Sequence, residues 1–306
     1  MSKITLVGNI GDWVSLSAEY LHPLVSTYVE YQLFDSTKTY DKSSTIFITN
    51  CNSTNQTWYL PYYEQGYKLA IDSLWEKPPL LNELSKLDAY IISNKNWFWY
   101  NESLWYKFLN YHTYIPNRTY KKTALMLMRK KTSTRTLLIK KLDTLLNNFL
   151  YSYVGAGILL SNDSIKQSGD VDQRYFNPEW YNQTCFSLVS ETYTTDTDFI
   201  TEKTFKPIAF QHPFMVCGQA GTLANLQDLG FETYNNLFDE SYDIILPLDL
   251  KIDKLISNIV SYKNEPYSKL TLEKIAHNHA LFFNDNLIAD RFKKEIINPI
   301  IEYAET

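Results

Sequence analysis

Cysteine, glycine and long apolar runs are all scarce in this chain. Its 306 residues hold three cysteines, Cys51, Cys185 and Cys217, far apart and without a CxxC spacing. That supplies neither a disulfide framework nor a structural zinc site, and it suits a reducing compartment. Nine glycines exclude collagen-like and glycine-repeat proteins. No stretch approaches the roughly 20 apolar residues of a membrane-spanning helix. The apolar run near the N-terminus, Ile4–Val7, is too short for a signal-peptide core and soon meets Asp12. The expectation is a cytoplasmic protein with no membrane span. Six N-x-S/T sequons then read as chance in a chain rich in Asn, Ser and Thr. The sequences GxSxG, Walker A, HExxH and GxGxxG are absent as well, so the chain carries none of those signatures.

What is present is ordinary for a globular protein: 44% hydrophobic and 21% charged residues, enough for one large domain or two medium ones. A net charge of -5 argues against a surface that grips nucleic acid all round. Aromatics are plentiful, with 24 Tyr and 7 Trp. The densest cluster, Trp97-Phe98-Trp99-Tyr100, reads as core of a small domain. The alternative is an acceptor cleft in which indole faces stack on sugar rings.

Hydrophobic patterning gives strands at Ile4–Val7, Thr45–Thr49 and Ala89–Ser93, with a helix over Tyr62–Trp75 stopped by Lys77-Pro78-Pro79. A second unit begins near Tyr120. Strands are expected at Ala124–Met128, Phe149–Val154, Phe186–Ser190, Phe214–Cys217 and Glu232–Tyr234. Helices are expected from Thr132 or Ser133, near Thr201–Phe210, over Gly221–Leu229, and as a helical tail (Lys254–Ser261, Thr271–Phe282, Leu287–Tyr303). Such alternation means βαβ units and parallel sheets. The domains read as residues 1–119, residues 120–285 and a C-terminal helix, 286–306, packing back on the first.

Between Glu102 and Asp143 there is no acidic residue, while the interval carries Arg129, Lys130, Lys131 and Arg135 among ten cations. A solvated face mixes signs, so the asymmetry points to an anionic partner. Arg129 stands where a parallel strand ends and Arg135 where a helix begins, the place where α/β sheets bind ligands and helix N–H groups favour phosphate. Lys140 and Lys141 read as a solvated helix face.

A second constellation lies at Ser190-Glu191 and Phe199-Ile200-Thr201-Glu202-Lys203-Thr204-Phe205. Thr201 can cap a helix. A carboxylate beside an ammonium there suits a nucleotide sugar, Glu202 for a diol and Lys203 for a diphosphate; an incidental Glu-Lys pair is the bland alternative. From about Thr123 to Asp243 the sequence resembles the donor-binding half of GT-B glycosyltransferases, particularly family 10 fucosyltransferases and exostosin-like enzymes of viruses and phages. Their aromatic-Val-Thr-Glu-Lys motif is matched by Phe199–Lys203. Their strand, arginine turn and second arginine are matched by Leu125–Arg129 and Arg135, and their strand and glycine turn by His212–Gly218. Thr204, Lys206 and Pro207 depart from family 10, which leaves the donor sugar open.

The resemblance implies an α/β GT-B fold, two Rossmann-like domains facing a cleft. It implies a UDP- or GDP-sugar donor held by Arg129, Arg135, Ser190, Glu191, Thr201, Glu202, Lys203 and Gly218, and a glycan or other hydroxyl acceptor. No metal ion is called for, because cations and helix N-termini carry the leaving charge. An inverting enzyme also needs a carboxylate base, for which Asp12 and Glu76 are best placed and Asp72 third. Two DxD sequences, Asp170-Val171-Asp172 and Asp196-Thr197-Asp198, are the weak mark of a metal-dependent GT-A enzyme. Competing readings are a phage-type transferase acting on DNA bases, with nucleic acid as partner, and a carbohydrate-binding protein without catalysis.

Overall fold

The computed structural model describes residues 4–8, 29–50, 59–72, 88–92, 96–160, 177–192, 194 and 200–306, the side chains of Thr49, Asn50, Asp72 and Trp97 excepted. It is an α/β protein with two parallel sheets, consistent with a two-domain Rossmann-like layout. The chain divides into two compact units, Met1–Leu104 with Asn284–Thr306, and Trp105–Phe283.

The first unit holds strands β1 (Ile4–Gly8), β2 (Val29–Leu33), β3 (Thr45–Asn50), β4 (Lys68–Asp72) and β5 (Tyr90–Ile92) in the order β2-β1-β3-β4-β5. All neighbours are parallel. Val7, Phe47, Leu69 and Ile71 are buried together with Tyr40. β4 corrects the sequence reading. Helix α1 covers only Leu60–Glu64, and the following residues form a strand. Leu69, Ala70 and Ile71 are all buried, and a short continuous apolar run cannot be told from a buried helix by periodicity. β2 was not read at all, because Glu30 and Gln32 dilute its apolar content.

Helix α2 (Trp97–Phe108) follows. Phe98, Trp99 and Tyr100 are buried, so the described part of the aromatic cluster is core and not a sugar-stacking surface. Within the same unit Tyr100 donates a hydrogen bond to Glu295 at 2.7 Å, and the Arg291 guanidinium lies 5.4 Å from the Trp99 ring. Lys68 donates to the carbonyls of Tyr303 and Ala304, closing the last helical turn.

The second unit holds β6 (Lys122–Met128), β7 (Phe149–Tyr153), β8 (Thr184–Ser190) and β9 (Phe214–Cys217), ordered β7-β6-β8-β9 and all parallel. Glu232–Tyr234, expected as a strand, forms none. Helices α3 (Ser133–Leu142), α4 (Glu179–Asn182), α5 (Glu202–Ala209), α6 (Thr222–Asp228), α7 (Leu248–Ser261) and α8 (Lys269–Phe282) complete it. From β6 the chain moves outward through α3 to β7, then returns to the other side of β6 as β8 and moves on through α5 to β9. The strand order therefore reverses between β6 and β8, which makes their carboxyl ends a topological switch point. α3 packs on α7, and α5 on α8.

The C-terminal segment, expected as one helix, is α9 (Asp285–Phe292), a π-helical turn (Lys293–Ile297) and α10 (Asn298–Glu305). Pro299 has no N–H for the carbonyl of Glu295, so the regular i to i−4 ladder fails there and the extra residue is accommodated as a π turn.

Candidate functional site

The switch point in the second unit is built from three short pieces of chain. The first is the β6–α3 turn. Thr132, in extended conformation, caps α3 by accepting a hydrogen bond from the Arg135 N–H at 3.2 Å. The Gly155 N–H donates to the Arg129 carbonyl at 2.7 Å. A Cβ on Gly155 would stand 2.7 Å from the Lys131 nitrogen and 2.9 Å from the Arg129 oxygen, so only glycine allows this approach. The turn is thereby fixed, while Arg129, Lys130 and Lys131 are exposed at its surface.

The second piece is the end of β8. Arg135, fully buried, spans the gap to it. Its guanidinium donates to the Lys130 carbonyl at 3.0 Å and to the Ser190 carbonyl at 2.8 Å. A planar fork can bridge two carbonyls in this way where an ammonium cannot. Burial lowers the Arg135 pKa, and the carboxylates of Glu191 and Glu202 work against that loss. The side chain therefore braces the site from within; it does not reach outward as the sequence suggested.

The third piece is the start of α5. The Glu191 carboxylate accepts from the Thr201 N–H at 3.2 Å, from the Thr201 hydroxyl, and from the Thr204 hydroxyl at 2.9 Å. Thr201 caps α5 through Lys203 N–H. The Lys203 ammonium lies 2.7 Å from Glu202 and 3.8 Å from Glu191, and donates to Thr201 at 3.1 Å. Burial would raise the Glu202 pKa, but the Lys203 and Lys206 ammonium groups outweigh it and hold the carboxyl below its usual range. Burial likewise works to lower Lys203, and Glu202 and Glu191 overcome it, so the amine is held above its usual value.

Ser190, Glu191, Thr201, Glu202, Lys203 and Arg135 are thus brought together from separate stretches of chain. Two cations (Arg135, Lys203) and two carboxylates (Glu191, Glu202) leave this quartet with no net charge. Gly218 stands at the edge of the group: a Cβ there would lie 2.9 Å from the Thr222 hydroxyl and 3.6 Å from Glu191. Around its turn the Gly221 N–H donates to the Asp243 carbonyl at 3.1 Å. The Asp243 carboxylate accepts from the Leu223 N–H at 3.1 Å at the start of α6, and the buried Lys251 donates to the Gly218 carbonyl at 2.9 Å. The sequence reading missed Thr204, Asp243 and Lys251. Lys251 was detectable, since it shares a helical stripe with the buried Leu255 and Ile259.

Asp12, Glu76, Phe199 and both DxD sequences lie outside the described residues, as does the side chain of Asp72. Among the described residues no group of three or more His, Cys, Asp or Glu could hold a metal ion, and no helix is long and apolar enough to cross a membrane. His212 is buried and serves the core: its Nε2–H donates to the Thr184 carbonyl at 2.9 Å, and its Nδ1 accepts from the Ser187 hydroxyl at 2.9 Å. No protein-family model matches the chain, and no curated protein matches it.

The Glu202–Lys203 pair gives a first prediction. A carboxyl held low contributes stability above its unfolded pKa of about 4.3 and loses it as pH falls through the folded value. An amine held high contributes below about 10.4 and loses it as pH rises through the folded value. Thermal unfolding of wild type and Glu202→Gln should therefore differ most near neutrality and converge as the pH falls from about 4.3 through the lowered folded value. A Tm difference that stayed constant over that range would contradict an ionised Glu202.

Proposed function

We propose that this protein is a glycosyltransferase of the GT-B type, moving a sugar from a UDP- or GDP-sugar to a hydroxyl acceptor. The observation that carries the reading is the meeting of Ser190-Glu191, Thr201–Lys203 and the β6–α3 turn at one topological switch point. That is where doubly wound sheets hold nucleotides. The resemblance of Phe199–Lys203 to the family 10 motif supports the same assignment from the sequence side.

In the reaction the acceptor oxygen forms a bond to the anomeric carbon as the bond from that carbon to the diphosphate oxygen breaks. The nucleoside diphosphate leaves with the electron pair, and the acceptor proton passes to a carboxylate base, for which Asp12 and Glu76 stand as the sequence candidates. Glu202 accepts hydrogen bonds from a vicinal diol of the donor. Glu191 holds Thr201 and Lys203 in register beneath it, and Arg135 fixes both walls. Preorganised groups of this kind stabilise charge where it develops without reorganising at the moment of reaction. No bound metal is part of the proposal.

A panel of UDP- and GDP-sugars tests it, by thermal shift and by nucleotide release with glycan and DNA acceptors. Stabilisation together with release on a glycan supports the reading. Release on DNA alone would favour the base-modifying transferase, stabilisation without turnover the binding protein. No stabilisation by any nucleotide sugar would remove the assignment.

A further inference from the structure

The stretch of the second unit that leads into α7 carries large apolar side chains on its outside. It leaves a 3-10 turn, Glu240–Ile244, passes Ile245 and Pro247 in extended conformation, and enters α7 at Leu248. Ile244, Leu246 and Leu250 are 76%, 80% and 57% exposed. A single exposed leucine is ordinary on any protein surface. Three such side chains close together in the chain make a patch, and a patch marks an interaction surface.

Both ends of this patch are fastened. Asp243, just before it, is buried, and its two carboxylate oxygens each accept from the Leu223 N–H at 3.1 Å. Lys251, just after it, is buried and donates to the Gly218 carbonyl at 2.9 Å. Ile252 and Leu255 then root α7 in the core. The outward side chains therefore stand on a preorganised segment, and a partner meets little ordering cost on binding.

The charge around the patch is one-sided. From Asp239 to Asp253 the chain has five carboxylates and one cation, Lys251, which is buried. Asp239, Asp249 and Asp253 are exposed and Glu240 is half-buried. Two lysines reach these groups from outside the stretch. Lys141 lies 2.7 Å from Asp249 and 2.6 Å from Asp253, and Lys254 lies 2.5 Å from Asp239. Two ammonium groups against four surface carboxylates leave the patch negative. Ion pairs as exposed as these hold weakly, so the carboxylates stay open to exchange.

We propose that Ile244, Leu246 and Leu250 form a docking surface for a basic amphipathic segment of a partner protein. The segment lays its apolar side on these three side chains and sets lysine or arginine against Asp239, Asp249 and Asp253. Apolar contact supplies the affinity, and opposite charge at the rim selects the partner and steers it in. The same carboxylates repel nucleic acid and anionic lipid. The surface is separate from the donor reading, since neither the patch nor its partner involves a nucleotide.

Fluorescence anisotropy with the full chain tests the proposal. The probe is a labelled helical peptide of leucine and lysine with its leucines on one face, run beside a counterpart with glutamate in place of every lysine. The lysine peptide should bind and the glutamate peptide should not. Ile244→Ser/Leu246→Ser and Asp249→Asn/Asp253→Asn should each weaken binding about tenfold. Leu270→Ser/Leu272→Ser, which removes two exposed leucines from α8, should leave it unchanged. All these positions are exposed, so the variants should melt with the wild type. No binding of the lysine peptide, equal binding of both peptides, or equal loss in the α8 variant overturns the proposal. So does self-association of the wild type in the ultracentrifuge that Ile244→Ser/Leu246→Ser abolishes, which would give the face to a second copy. None of these outcomes bears on nucleotide-sugar binding, which the panel above decides.

Discussion

Arg135→Ala is expected to destabilise the second unit by about 3–5 kcal/mol, the cost of removing one partner from a buried charge network. Three losses coincide. The Lys130 and Ser190 carbonyls lose their donor in the interior. Of the quartet only Lys203 then remains to balance the buried Glu191 and Glu202, so it becomes net negative, with Lys206 the other cation acting on Glu202. A side chain of large volume is also deleted from a fully enclosed position, which leaves a void. Arg135→Lys should recover little, because one ammonium lacks the fork that reaches two carbonyls. Urea unfolding followed by circular dichroism measures the effect. A loss below about 1 kcal/mol, the scale of an exposed ion pair, would show that the guanidinium is not the brace described.

Glu202→Gln is expected to lower affinity for a UDP- or GDP-sugar about a hundredfold while the chain stays folded. Hydrogen bonds from a diol to a carboxylate contribute about 1.5–3 kcal/mol each, and an amide of the same shape accepts at one atom only and presents an NH2 to the other hydroxyl. The affinity for the free nucleoside diphosphate separates the diol's source. If Glu202 holds the ribose, UDP and UDP-sugar weaken together. If it holds the transferred sugar, only the nucleotide sugar weakens. An unchanged nucleotide-sugar affinity would exclude Glu202 from the donor site.

Much of the second sheet was legible because its strands are continuous apolar runs with polar ends, as Ala124–Met128 and Phe214–Cys217 are. The helices after them announce themselves by Thr132 and Thr201 as caps. β4 was hidden by the same property that makes it a strand, complete burial on both faces. The break at Pro299 was visible as a proline, but its outcome, a π turn within an otherwise helical segment, depends on packing that a periodic pattern does not contain.

At the site, residue types were legible and their directions were not. Arg135 and Lys203 were read as two cations aimed at a common anion. Yet Arg135, Leu138 and Leu142 share a helical stripe, all three buried. That spacing already placed the guanidinium on the inner face. What spacing could not show is that β8 supplies a carbonyl to receive it, a contact 55 residues away in sequence. The same holds for Glu191, whose capping of Thr201 and Thr204 depends on a loop closing back on the strand end. The interval without acids leaves the Lys130 and Lys131 side chains without a partner among the described residues, whereas Lys141, expected on a solvated helix face, pairs with Asp249 and Asp253 at 2.7 and 2.6 Å.

Whether the second unit holds a nucleotide at the β6–β8 switch point is decided by a crystal of the protein soaked with UDP or GDP. Nucleotide density is expected at the carboxyl ends of β6 and β8, with the diphosphate at the β6–α3 turn and a hydroxyl pair on Glu202. Nucleotide bound elsewhere on the chain, with this junction empty, would contradict it.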